Sequence, residues 1–92
     1  MKNNNIFGNI LKTYRKKMNL SQEQLATILN TSKSRICLYE IGQRKPNKKF
    51  IKKITDKTNI EYEQLYIATL LDKESIDIFT LEKYIKIYKG GI

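Results

Sequence analysis

Histidine and tryptophan are absent from this chain, and cysteine and proline occur once each. Without histidine the usual zinc ligand sets fall away, and so do the Ser-His-Asp and Cys-His triads. The lone Cys37 cannot form an internal disulfide and reads as a small packing residue. No apolar run approaches the roughly 18 residues needed to span a bilayer. Met1 to Asn5 leads into a basic segment without the apolar core of a signal peptide. The expectation is a cytoplasmic protein with no membrane contact, no cofactor, no metal and no enzymatic activity.

Acidic residues are scarce: nine, against 18 Lys and Arg, for a net charge of +9. Residues 1–57 carry 14 of the basic residues and three of the acids, Glu23, Glu40 and Asp56. The remainder is slightly acidic, so the positive field belongs to the first two-thirds of the chain. Such a field implies an anionic partner, most often nucleic acid. A solvated lysine-rich surface is the plainer reading of the same numbers. With 92 residues, 40% hydrophobic and 29% charged, the chain suits one small folded domain that gains from a partner subunit.

The apolar spacing is helical. Ile6, Phe7, Ile10, Leu11, Tyr14 and Met18 recur at intervals of three and four, and Asn19 follows where a helix would stop. Ser21 to Gln24 has the form of a capping box, opening a second helix over 22–29 with Leu25, Ile28 and Leu29 inward. Asn30 suits a left-handed helix end. Ser32 or Thr31 caps a third helix over 33–41, with Ile36 and Tyr39 inward, closed by Gly42 and Pro46. Asn47 caps a fourth over 48–58 with Phe50, Ile51 and Ile54 inward, and Asn59 takes its end position. Tyr62, Leu65 and Tyr66 lie on a fifth, over 61–71. The fold expected is all-α, with a domain over 6–71 and a C-terminal extension over 72–92. Ile78, Leu81, Ile85 and Tyr88 fit a helical stripe in that extension, although Ile76, Ile78 and Thr80 also fit the alternation of a strand.

Two short helices joined by a tight turn, with the small Ala26 in the first, form a helix-turn-helix arrangement. The outer face of its second helix presents Lys33, Ser34, Cys37 and Leu38, flanked by Arg35 and Ile41. Lys, Ser and Arg donate to base edges or phosphates.

Leu20-Ser-Gln-Glu-Gln-Leu-Ala26, Leu29-Asn-Thr-Ser32, Ile36 and Glu40-Ile-Gly-Gln-Arg-Lys-Pro46 together resemble the lambda-repressor-like, Cro/XRE-type helix-turn-helix family. The resemblance covers about residues 6 to 71. It implies a five-helix domain that binds double-stranded DNA as a homodimer, with the third helix in the major groove. By the same resemblance Gln22 bonds a phosphate and approaches Lys33. Lys33 and Ser34 face base edges, and Ser32 and Arg35 reach phosphates or the groove edge. Arg15 pairs with Glu40, and Arg44, Lys45, Lys48 and Lys49 meet the phosphate backbone. Two positions depart from the family pattern. Asn30 replaces the turn glycine, and Leu38 stands where a polar base reader is common, so that it contacts a thymine methyl or is half-buried. Lys52 and Lys53 are expected to steer rather than touch.

The implied function is a transcriptional regulator, most simply a repressor, of bacterial or phage origin. An antitoxin or inhibitor that masks a protein partner and represses its own operon is the alternative, favoured by the acidic and apolar tail. An RNA binder is a further one. The stripe Leu81, Tyr84, Ile85 and Tyr88 must bury against something. It either folds back on the first and fifth helices or meets its twin across a two-fold axis, and the second, a dimerisation element, is expected.

Overall fold

The structure is a computed structural model, and it describes residues 5–74. Five helices follow in order: α1 (Ile6–Lys17), α2 (Gln22–Ile28), α3 (Lys33–Glu40), α4 (Lys48–Lys57) and α5 (Tyr62–Glu74). No strand occurs among the described residues. The stripe Leu81, Tyr84, Ile85 and Tyr88, and Thr80 before it, lie outside the described residues.

The turns are built by backbone chemistry legible in the sequence. Ser21 Oγ accepts from the Gln24 N–H at 3.0 Å while Gln24 Oε1 accepts from the Ser21 N–H at 2.8 Å, a complete capping box. Ser32 caps α3 through the Arg35 N–H, and Asn47 caps α4 through the Phe50 N–H. Asn19, Asn30 and Gly42 adopt left-handed backbone at φ 58°, 54° and 82°. Behind each, a carbonyl of the last helical turn accepts the next residue's N–H: Arg15 from Leu20, Ala26 from Thr31, and Leu38 from Gln43. That bond satisfies carbonyls the helix leaves orphaned.

Asn59 does not share this role. Thr58 ends α4 in extended backbone, and its hydroxyl donates to the Ile54 carbonyl and accepts from the Ile60 N–H. One side chain does what the left-handed turn does elsewhere. Two apolar assignments also differ: Met18 and Ile28 are exposed. Met18 lies past the end of α1. Ile28 belongs to the last turn of α2, where Ala26 and Leu29 supply the inward face.

The core joins Phe7 and Leu11 of α1, Leu25 and Leu29 at α2, Ile36 and Tyr39 of α3, Phe50, Ile51 and Ile54 of α4, and Leu65 and Ala68 of α5. Tyr39 is its pivot. Its ring stacks on Phe50 at 4.6 Å between centroids and meets the edge of Phe7 at 5.8 Å.

Two features hold α1 in place. Gly8 is buried against the end of α3: a Cβ there would press into the Tyr39 carbonyl oxygen and come within 2.9 Å of that of Glu40. Asn5 gives its own helix no side-chain cap; its amide instead donates to the Glu40 carbonyl at 2.8 Å. The free N–H groups of Ile6 and Phe7 go to the two carboxylate oxygens of Asp72, at 2.7 and 2.9 Å. α5 therefore runs past the boundary expected after Leu71, because the turn that follows carries the cap of α1.

Candidate nucleic-acid interface

The geometry of α2 and α3 rests on one carboxylate. Glu40, at the end of α3, is 5% exposed, and charge is costly to bury unless it is paired. Its Oε2 accepts from Arg15 Nε at 2.7 Å; its Oε1 accepts from Arg15 Nη2 and from Gln22 Nε2, each at 3.1 Å. Arg15 Nη1 donates to the Leu20 carbonyl at 2.9 Å. A planar, two-pronged contact of this kind binds more tightly than a point charge. The hydrogen bond that Arg15 donates to Glu40, then the negative charge of Glu40, raise the Arg15 pKa above the ordinary guanidinium value against the opposing effect of burial. Thus α1, the start of α2 and the end of α3 are tied at one point.

Gln22 was expected to approach Lys33, but its amide nitrogen turns inward to Glu40. The amide nitrogen needs an acceptor, and Glu40 retains acceptor capacity after binding Arg15. One amide hydrogen of the half-buried Gln22 is left over by this bond.

The face that α3 turns away from the core carries Lys33, Ser34 and Arg35, all exposed, with Leu38 half-buried and Ile41 exposed behind them. Ser32 is also exposed; its oxygen caps the helix, leaving its O–H as donor. Arg44, Lys45, Lys48 and Lys49 are exposed at the α3–α4 loop and the first turn of α4. They do not all point one way. The Arg44 guanidinium stands 5.9 Å from the centre of the Tyr39 ring, and the Lys48 ammonium 5.9 Å from that of Tyr66 on α5.

Between α3 and α4 a hollow of about 240 Å³ brings together Arg35, Arg44, Lys49 and Lys53, with Asn30 and Asn47 in its wall and no acidic residue. Lys53, expected with Lys52 to steer rather than touch, is half-buried in this wall beside Arg35, Arg44 and Lys49. Lys52, by contrast, faces Asp56 one turn later at 3.6 Å on the exposed side. No group of His, Cys, Asp or Glu that could hold a metal ion occurs among the described residues. No helix among them is long and apolar enough to cross a membrane.

Gly8, Asn5 and Asp72 escaped sequence reasoning. Gly8 had a signal, since an isolated glycine inside a helical pattern costs about 1 kcal/mol and needs a packing reason. Asp72 had none, because its partners are 66 and 65 residues away.

A short helix with an exposed polar face, packed against a second across a tight turn, defines a helix-turn-helix protein. A helix-turn-helix family model matches residues 11–65, and the chain belongs to that family, in its Cro/C1-type, XRE branch. No curated protein and no solved structure matches the chain. The family supports a DNA-binding regulator of transcription.

Proposed function

We propose that the protein represses transcription by binding a pseudo-palindromic operator as a homodimer, each α3 lying in the major groove of a half-site. The observation that carries this reading is the exposed row Ser32, Lys33, Ser34 and Arg35 beside an acid-free cationic hollow. α3 is a helix of eight residues, and a helix with its side chains is about 10–12 Å across, which suits a major groove about 12 Å wide. Lys33 and Ser34 read base edges, and Leu38 offers apolar contact to a thymine methyl. Arg35, Arg44, Lys45 and Lys49 meet phosphates, joined by Lys48, by the leftover amide hydrogen of Gln22 and by the Ser32 hydroxyl. Arg15 and Glu40 serve by holding α2 and α3 at a fixed crossing. Two copies place their reading helices one turn apart, about 34 Å.

Selection of bound sequences from random duplexes, followed by footprinting, tests this. The expected result is an enriched, two-fold related pair of half-sites protected together. An asymmetric site, or no enrichment at all, overturns the proposal.

A further inference from the structure

α1 has a second apolar stripe that the five helices cover only in part. Phe7 and Leu11 enter the core, but Ile6, Ile10 and Tyr14 remain half-buried at its edge. With Ile60 they line an open, shallow groove of about 420 Å³ between α1 and α5, whose other walls are the polar Asn9, Thr13, Lys17 and Gln64. In a small domain the half-covered apolar side chains of such a furrow add stability when something packs over them.

The length of chain beyond α5 bears on what does so. Asp72 clamps the last turns of α5 to the N–H groups of Ile6 and Phe7, at the Ile6 end of the furrow. The chain continues from Glu74 to Ile92, and that stretch holds the apolar residues Leu81, Tyr84, Ile85 and Tyr88 at helical spacing. Leu81 to Tyr88 spans about 10 Å as a helix, and Ile6 to Tyr14 about 12 Å. Residues 75–80 reach as far as about 20 Å when extended, enough to turn back across a helix separation of about 8–10 Å. So short a tether keeps the segment beside its seat at a local concentration of order millimolar, whereas a second copy pays the full entropy of association.

We propose that the groove between α1 and α5 is the seat of the chain's own C-terminal segment, with Leu81, Tyr84, Ile85 and Tyr88 laid on Ile6, Ile10 and Tyr14. The expectation that this stripe meets its twin is the competing outcome.

The test uses the full chain in a Cys37→Ser background. Ile10→Cys and Ile85→Cys are introduced together, and mild oxidation is followed by non-reducing electrophoresis. The expected product is a disulfide within one chain. It forms at least about tenfold faster than in a control pair of Lys12→Cys and Ile85→Cys, since Lys12 faces away from the groove. Its rate is unchanged over about a hundredfold range of protein concentration. Dimer-sized products that grow with concentration give the seat to a second copy and overturn the proposal. Equal rates for the two pairs overturn it as well. In an otherwise unaltered chain, Ile85→Asp lowers the melting temperature by several degrees; an unchanged melt leaves the segment without a seat and again overturns it.

Discussion

Glu40 is the one charged side chain buried among the described residues, and it accepts three hydrogen bonds. Its value lies less in net stability than in the cost of breaking it. Removing either partner strands the other charge, at about 3–5 kcal/mol. Arg15→Ala and Glu40→Ala should therefore each lower the melting temperature sharply, and the double variant should lose less than the sum. Equal and independent losses in thermal melts would show that the two residues do not act as a pair. Because Arg15 has its pKa raised, the guanidinium keeps its charge throughout the ordinary pH range, and its side of the pair fades only in strong alkali. On the reading face the substitutions should divide differently. Lys33→Ala or Ser34→Ala should change base preference across single-base operator variants. Lys45→Ala or Lys49→Ala should weaken all variants alike and reduce the salt slope by roughly one per half-site contact. Identical profiles for Lys33→Ala and Lys49→Ala would remove the distinction between reading and clamping.

At the scale of the helix, α1 depends on contacts from the far end of the chain. Asp72→Ala leaves two N–H groups of α1 without acceptors and removes a negative charge from a helix N-terminus, a loss of about 1–2 kcal/mol. Hydrogen exchange should show the first turn of α1 opening while α2 to α4 stay protected; uniform loss of protection would contradict the assignment. Gly8→Ala should also destabilise, by about 1–3 kcal/mol, despite the better helix propensity of alanine. The atoms it would meet are backbone carbonyl oxygens, which cannot swing aside. These two residues mark where the sequence stops being readable. Caps, left-handed turns and inward faces are local, and Ser21, Asn30, Asn47 and Ile54 declare them within four residues of their partners. The outer row Lys33 to Arg35 is legible in the same way, from helical periodicity. The inward turn of Gln22, the convergence of Lys53 on Arg35 and Arg44, and the capping by Asp72 all join separate helices. No periodicity encodes such meetings, and Thr58 replaced Asn59 because its hydroxyl satisfies two backbone groups at once.

For the whole molecule, the imbalance of charge sets how strongly it holds DNA. A dimer that neutralises about 6–10 phosphates should lose about 10³–10⁵ in affinity between roughly 50 and 200 mM salt. A flat response in binding titrations would separate the basic surface from DNA altogether.

The clasp between Asp72 and the start of α1 bears on the order in which the molecule assembles. α2 and α3 meet through neighbouring residues and can form early, but the α1 clasp spans 66 residues and must await closure of that long loop. A chain still being synthesised thus has its reading unit joined to an unfinished first helix until Asp72 emerges. Arg15 braces Glu40 from the last turn of α1, so α2 and α3 can be held in place before Asp72 emerges, and what arrives late is the closing of the first turn of α1.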